Sequence, residues 1–269
     1  MTAPPNDPAT RPVPAGAPYP GAPAAYVAAL ESGRELRPPR WGMGDVVIAL
    51  IVALLVPALV LSAVLAAGVP RTGPVVLLLS LTLPWIGFGL WPIVTTRLQG
   101  NGPRLDLGLS VRRIDIAWGI GGGLACLGLG WIAAAITEHF AGSFDSAAGD
   151  AVSNVDAGRW ILWAFALCAL VGAPLFEELC FRGLAFAAIA KATSRAGLPA
   201  VPWATIGSAL LFALAHLEPV RIPVLLTIGL VLSLLRARTG RIGASVIAHS
   251  VNNLIAVATM LLSVSASHG

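Results

Sequence analysis

Long apolar runs, separated by short polar connections, dominate the chain from about residue 46 onwards. Most of them approach the 20 or so residues that a helix needs to cross the hydrocarbon core of a bilayer. They cover residues 46–68, 74–96, 115–136, 160–190, 203–217, 221–236 and 242–263. This pattern predicts an all-α fold, a polytopic bundle of about seven transmembrane helices. Six or eight spans are alternatives, because two runs are short and one contains Pro174, where the helix could kink or split.

The first 40 residues differ in composition from the rest of the chain. They hold ten of the 21 prolines and many alanines, and they contain no long apolar run. Such a segment is typical of disorder, because it has too little apolar surface to form a core. We therefore predict a disordered tail over residues 1–40, with room for a short helix around Ala24–Leu36, and a membrane domain over residues 41–269. The late start of the first apolar run argues against a cleavable signal peptide.

Composition excludes the soluble classes of globular protein. Apolar residues make up 57% of the chain and charged residues only 11%, whereas a soluble domain carries roughly 25% charged residues. The basic residues are scattered between apolar runs and form neither a basic face nor an aromatic RNA-binding motif. We therefore expect a multi-pass integral protein of the cell membrane, with the lipid bilayer as a partner and no nucleic acid. Cys126, Cys168 and Cys180 form no CxxC pair, so neither a disulfide framework nor a thiolate metal site is predicted.

Basic residues alternate between successive connections, as the positive-inside rule requires. They are concentrated in four groups, namely Arg34, Arg37 and Arg40; Arg97, Arg104, Arg112 and Arg113; Lys191 and Arg195; and Arg236, Arg238 and Arg241. The intervening connections are poor in basic residues, and the one at about 137–159 is acidic. This alternation supports seven spans and predicts a cytoplasmic N-terminus.

Glycines interrupt the third apolar run at residues 119 and 121–123. A phosphate-binding loop would follow a strand and end in a third spaced glycine, and here Leu124 occupies that place. Small residues inside an apolar run indicate close packing of transmembrane helices instead.

Five ionisable residues lie inside the predicted spans, away from their ends: Glu177, Glu178, Arg182, His216 and His249. A charge at the bilayer centre costs on the order of 3 kcal/mol, so these side chains are expected to face one another within the bundle. Glu178 and Arg182 are four residues apart, and this spacing allows them to pair on one helix face. Glu177 points about 100° away and is the freer carboxylate, which suits a general base.

Two other helices carry partners at the same spacing. His249 and Asn253 share one face, and Phe212 and His216 share another, so the phenyl ring can pack on the imidazole. Counting 1.5 Å per residue from the span ends places Glu177 and His249 in the cytoplasmic half of the bilayer. One site with access from the cytoplasmic side is therefore expected.

These residues resemble the motifs of the CPBP family, the intramembrane CAAX proteases and bacteriocin-processing enzymes that are also called the Abi family. Residues 176–183, FEELCFRG, are similar to the EExxxR motif of that family. FALAH at 212–216 is similar to FxxxH, and HSVNN at 249–253 is similar to HxxxN. The three motifs occur in the family's order, each on its own predicted span, and the resemblance covers roughly residues 160–255.

The resemblance implies an intramembrane endopeptidase that acts on a membrane-associated protein or peptide. It assigns six catalytic residues: Glu177 to activate water, Glu178 and Arg182 to support it, His216 and His249 to hold the water or a metal, and Asn253 to stabilise the oxyanion. No residue is assigned to an organic cofactor. The metal question stays open, because two histidines and Glu177 could hold a divalent ion such as zinc or polarise water without one.

Two other classes of function use the same residues. A proton- or ion-coupled transporter would use the Glu, His and Arg cluster as a relay, although transporters often contain two-fold repeats and here the cluster is confined to the C-terminal half. A non-catalytic membrane scaffold is the third class, against which the intact motifs count. The Ala, Gly, Pro and Arg bias is typical of a bacterial chain, for which peptide processing, immunity and membrane-protein quality control are alternative roles.

Overall fold

The computed structural model describes residues 18–144, Asp150 and residues 160–267, and no strand is found among them. Residues 1–17 of the predicted tail and most of the acidic connection before α6 lie outside the described residues. The helices are α1 Ala24–Glu31, α2 Met43–Ala66, α3 Pro74–Gln99, α4 Pro103–Asp106, α5 Arg113–Ala141, α6 Trp160–Arg195, α7 Ala200–Ala215, α8 Pro219–Thr239 and α9 Gly243–Ser267.

Each of the predicted spans falls on one of these helices, and the predicted all-α membrane bundle is confirmed. Among the described residues, five helices are long and apolar enough to cross a membrane: α2, α3, α5, α6 and α8. The α7 helix is shorter, with 16 residues, while α9 has 25 residues. The chain is thus an integral membrane protein, and the total of seven spans stays a prediction.

The α6 helix continues through Pro174, so the split that the sequence allowed at this residue is absent. Two π-helical stretches, Cys168–Gly172 and Leu179–Ala185, interrupt its regular hydrogen bonding instead. The first stretch ends just before Pro174, which has no N–H to donate. The change of hydrogen-bond register at this stretch accompanies the proline, and the helix continues. Because π turns leave backbone groups unpaired and are frequent at functional sites, both stretches bear on the site described below.

The glycines of α5 allow two neighbouring helices to approach it closely. A Cβ atom on Gly119 would lie 2.5 Å from the Ile247 side chain of α9. A Cβ on Gly123 would lie 2.5 Å from Val251 of the same helix, and one on Gly122 would lie 2.5 Å from a leucine of α8. These contacts confirm the predicted packing role for three of the four glycines, whereas nothing lies within 4 Å of a Cβ on Gly121. They also fix the helix that carries the HxxxN motif.

A buried ion pair ties the start of α9 to α5. Arg241 lies in the connection before α9, and its Nη2 and Nε donate to the two carboxylate oxygens of Asp115 at 2.6 and 2.9 Å. The same carboxylate accepts the backbone N–H of Arg112 at 2.7 Å, so it also caps α5. This bidentate geometry fixes the orientation of the connection from which α9 begins.

The N-terminal segment packs against the bundle from residue 18 on, which differs from the disordered tail predicted over residues 1–40. Tyr26 is only 1% exposed, and the Ala24 N–H donates to Gly240 O at 2.9 Å, at the turn between α8 and α9. Gly240 has a φ of 65°, and a Cβ there would lie 2.9 Å from the Ala24 nitrogen. Aromatic side chains of the segment supply apolar surface for this packing, although its average composition is rich in proline and alanine. The α1 helix is the short helix expected in this segment.

Candidate active site

The two glutamates of the FEELCFRG segment lie immediately before the second π stretch of α6. Arg182 Nη1 donates to Glu178 Oε1 at 2.8 Å, and both side chains are fully buried. The ion pair expected from their spacing is therefore present. Arg182 Nη2 donates in addition to Gly229 O of α8 at 3.0 Å. A buried guanidinium needs both a counter-charge and hydrogen-bond acceptors, and Arg182 has both. Since Gly229 O fixes Arg182, the ion pair in turn fixes the Glu178 carboxylate.

His249 of α9 contacts both glutamates. Its Nδ1 lies 3.2 Å from Glu178 Oε1, within hydrogen-bond distance, and its Nε2 lies 3.9 Å from Glu177 Oε2. A carboxylate oxygen accepts hydrogen bonds, so in the neutral imidazole Nδ1 carries the proton and Nε2 carries the lone pair. Glu178 thus orients the ring, and the free nitrogen faces Glu177.

Glu177 is the carboxylate that these contacts leave uncommitted. Its side chain is 17% exposed, yet Oε2 is buried and makes no hydrogen bond within the described residues. The separation of 3.9 Å from His249 Nε2 exceeds a direct hydrogen bond and suits a contact that is bridged by water. This geometry agrees with the prediction that Glu177 is the freer of the two carboxylates.

Phe212 of α7 contacts the arginine and both histidines. Arg182 Cζ lies 4.5 Å from the centroid of its ring, and the rings of His216 and His249 lie 4.7 and 5.7 Å from it in edge-to-face geometry. His216 Nδ1 lies 2.8 Å from Phe212 O. Because a carbonyl oxygen only accepts, Nδ1 donates, and in the neutral ring Nε2 carries the lone pair. The expected packing of Phe212 on His216 is present, and His216 is half-buried at the C-terminal end of α7.

The Asn253 side chain connects α9 to the first π stretch of α6. In that stretch the Ala173 N–H bonds to Cys168 O, five residues back, so the Ala169 carbonyl is passed over. Pro174, the next residue, has no N–H to offer it. Asn253 Nδ2 donates to Ala169 O at 2.9 Å and satisfies this carbonyl. The amide group has a second hydrogen that this contact does not use.

The described residues do not form a metal centre of the kind that the motifs leave open. No group of three or more histidine, cysteine, aspartate or glutamate side chains among them is arranged to hold a metal ion. Glu178 is committed to Arg182 and His249, and the two histidines contact the same phenyl ring. The set of His216, His249 and Glu177 is thus not assembled as zinc ligands in this arrangement.

Sequence reasoning missed the support that α7 and α8 give to the second π stretch. Ser208 Oγ of α7 donates at 2.8 Å to the carbonyl of the residue before Arg182, and Arg236 Nε of α8 donates to Arg182 O at 3.0 Å. Ser233 donates to Ser208, and Gly229 accepts from Arg182. Gly229, Ser233 and Arg236 are four and three residues apart and therefore share one face of α8. This spacing in the sequence could have identified the three residues as one helix face. The positive-inside pattern explains Arg236 only as a marker of membrane topology.

The α3 helix positions the start of the motif through contacts between aromatic rings and glycines. Phe176 precedes Glu177 and lies against Gly89 of α3, where a Cβ would be 2.0 Å from the phenyl ring. Trp85 of α3 lies against Gly172 of α6, where a Cβ would be 2.3 Å from the indole ring. The rings of Trp85 and Phe176 stack with centroids 4.7 Å apart. An early span outside the motif region therefore holds the residue next to Glu177.

We expect Gly89→Ala to lower the free energy of unfolding by about 1–3 kcal/mol, the usual cost of overpacking. The added Cβ would overlap the Phe176 ring. Gly121→Ala is the matched control, since nothing lies within 4 Å of a Cβ at that helical position. Thermal unfolding of both purified variants in the same detergent checks this, and equal melting temperatures would contradict the contact.

Residues 159–255 match the sequence family described as Type II CAAX prenyl endopeptidase Rce1-like. The matched part begins just before α6, ends inside α9 and contains all three motifs. No curated protein and no solved structure matches the chain. The family match confirms the resemblance drawn from the motifs, and it implies a peptidase. Over residues 159–255, the chain is thus similar to the Rce1-like type II CAAX prenyl endopeptidases.

Proposed function

We propose that the chain is an intramembrane endopeptidase in which Glu177 activates the water that attacks a peptide carbonyl. The observation that carries this proposal is a pair of free atoms that face each other. Glu177 Oε2 is buried without a hydrogen bond among the described residues, and His249 Nε2 lies 3.9 Å from it. The Rce1-like match supports the class of reaction. The proposed substrate is a membrane-associated protein or peptide.

A water molecule between these two atoms would donate one hydrogen to each, which leaves an oxygen lone pair free to attack. Glu177 takes one proton as the water oxygen bonds to the carbonyl carbon, and the carbonyl oxygen becomes an oxyanion. When the C–N bond breaks, the Glu177 carboxyl gives this proton to the leaving amine nitrogen. One water is consumed, and one peptide bond becomes a carboxyl and an amine.

Glu178 is proposed as a positioning residue that acts through His249. It accepts the Nδ1–H of His249 at 3.2 Å, which fixes the tautomer in which Nε2 can accept a hydrogen from water. Arg182 in turn holds Glu178 by the ion pair of 2.8 Å. Because the pair is fully buried, no solvent competes with these contacts, and fixed polar groups act strongly in such surroundings.

Asn253 and His216 are proposed to complete the site. Asn253 lies one helical turn after His249, and the second hydrogen of its amide is a donor for the developing oxyanion. Donors that are fixed before the reaction stabilise such charge effectively. His216, with its Nε2 lone pair, is proposed to help His249 to hold the water.

The orientation in the membrane is also part of the proposal. The alternation of basic residues favours a cytoplasmic N-terminus, and the count of residues from the span ends favours a site in the cytoplasmic half of the bilayer. We therefore propose that substrates reach Glu177 from the cytoplasmic side.

Hydrolysis of a library of apolar peptides by the purified protein, after dialysis against a chelator, tests the glutamate-dependent mechanism. Mass spectrometry of the products identifies cleaved bonds without a defined substrate. We expect cleavage to persist with far less than one metal ion per chain. Activity that is lost on chelation and regained with zinc would contradict this mechanism and favour the metal-dependent alternative. No cleavage by the wild type under any condition would favour the transporter or the scaffold.

A further inference from the structure

Arg236 of α8 is fully buried, yet no carboxylate of the described residues forms an ion pair with it. Its Nε donates to Arg182 O at 3.0 Å, and its Nη2 donates to Gly21 O at 3.3 Å. Its Cζ lies 5.0 Å from the centroid of the Phe186 ring. Since apolar side chains can often replace buried charges without loss of stability, a guanidinium here indicates a need for its hydrogen-bond donors.

The Arg182 carbonyl needs a donor because the hydrogen-bond register of α6 changes at this point. The Phe186 N–H bonds to Phe181 O, five residues back, and so passes over Arg182 O, which is four residues back. Arg236 supplies the missing donor. The first π stretch leaves the Ala169 carbonyl in the same situation, and there the donor is the asparagine of the HxxxN motif. In each π stretch of α6, the carbonyl that is passed over thus accepts a hydrogen bond from a side chain of another helix.

We propose that Arg236 is a positioning residue of the peptidase site, which fixes the π turn that presents Arg182 to Glu178. The expected effect of Arg236 on turnover rests on the proposed function, whereas its expected effect on the π turn is independent of that function. The contacts are continuous: Arg236 Nε to Arg182 O, Arg182 Nη1 to Glu178 Oε1, and His249 Nδ1 to the same Oε1. Gly229 O of α8 accepts from Arg182 Nη2. One face of α8 therefore holds both the backbone and the side chain of Arg182.

The same guanidinium connects the site to the N-terminal segment. Gly21 O is its second acceptor, and a Cβ on Gly21, which has a φ of 85°, would lie 3.3 Å from the Phe186 ring. Tyr19 lies in the same segment: burial raises the pKa of its phenol, and the nearby Arg236 acts in the opposite direction. The segment covers one side of Arg236 and keeps it away from water.

Arg236→Lys and Arg236→Gln test the proposal, each paired with the same change at Arg238. Arg238 lies on the same helix and is exposed. It therefore has the same charge as Arg236 but does not make the hydrogen bonds of Arg236 to Arg182 O and Gly21 O. Lysine keeps the charge but lacks the planar fork that reaches two carbonyls. Hydrogen–deuterium exchange of the peptide 176–190 should accelerate by about tenfold or more in both Arg236 variants, because a hydrogen bond from a charged group is lost. The Arg238 variants and peptides from α5 should exchange like the wild type.

Turnover of the library peptide that the wild type cleaves best is the second readout. We expect kcat per folded molecule to fall by about tenfold or more in the Arg236 variants, with KM within about twofold, because the contacts to substrate are unchanged. Wild-type exchange of the peptide 176–190, or faster exchange with wild-type kcat, would overturn the proposal. If the wild type cleaves nothing, the peptidase proposal fails, while the exchange measurement still decides whether Arg236 fixes the π turn.

Discussion

Glu177→Ala is expected to abolish peptide hydrolysis and to leave the protein folded. The loss of a positioned general base costs roughly 10² to 10⁴ in rate. Glu177 Oε2 makes no hydrogen bond within the described residues, so its removal breaks no hydrogen bond of that atom, and the melting temperature should change little. Hydrolysis of the peptide library and thermal unfolding, both on the same detergent-purified sample, measure the two quantities.

Two further variants make this result specific. Glu177→Gln keeps the size of the side chain but cannot accept a proton, and it should be as inactive as Glu177→Ala. Glu138→Ala removes an exposed carboxylate from α5 and should retain full activity. Wild-type turnover by Glu177→Ala would remove this residue from the mechanism.

Glu178→Ala is expected to damage stability and activity together. It leaves the Arg182 guanidinium fully buried without its counter-charge, and removal of one partner of a buried ion pair costs about 3–5 kcal/mol. It also removes the acceptor for His249 Nδ1, so the imidazole loses the contact that fixes its tautomer. The melting temperature and the hydrolysis rate should therefore both fall, in contrast to the effect of Glu177→Ala.

A double variant separates the two effects of Glu178. Glu178→Leu combined with Arg182→Met removes both charges, and it should recover most of the lost stability because no unpaired charge remains. It should stay inactive, since His249 is still without its partner. A melting temperature of Glu178→Ala equal to the wild type would contradict the buried pair. Recovered turnover in the double variant would contradict the positioning role.

The helices could be predicted from the sequence because a bilayer imposes a simple rule. Every backbone group within the hydrocarbon must be paired, and a helix pairs its own groups, so long apolar runs mark helices directly. The contact between Glu178 and Arg182 was predictable for a similar reason, because it depends only on spacing along one helix. The packing glycines of α5 were also evident, since small residues in apolar runs favour close approach.

Contacts between helices were not predictable in this way. His249 lies 71 residues after Glu178, and no spacing rule states which of its nitrogens faces which carboxylate. The π stretches depend on donors from other helices, Asn253 for the first and Arg236 for the second. The local sequence around Pro174 allows a break in the helix. In the structure, the hydrogen-bond register changes before Pro174 and α6 continues.

The N-terminal segment shows the limit of average composition. Its prolines and alanines indicate disorder, but both of its tyrosines make packing contacts. Tyr26 is buried to 1% exposure, and Tyr19 packs against the hydrophobic core of the bundle. The charge pattern likewise groups Arg236 with the arginines that the positive-inside rule assigns to the cytoplasmic side. Only tertiary packing reveals that Arg236 is buried.

The central claim, proteolysis that depends on Glu177, is tested most directly by comparing protein N-termini in membranes of cells that express wild type or Glu177→Ala at equal levels. This measurement works whichever membrane protein is the substrate. We predict new N-termini, in or next to apolar segments, that occur with the wild type and are absent with Glu177→Ala. Identical N-termini in both cells, together with no cleavage of the peptide library by the purified wild type, would contradict the claim.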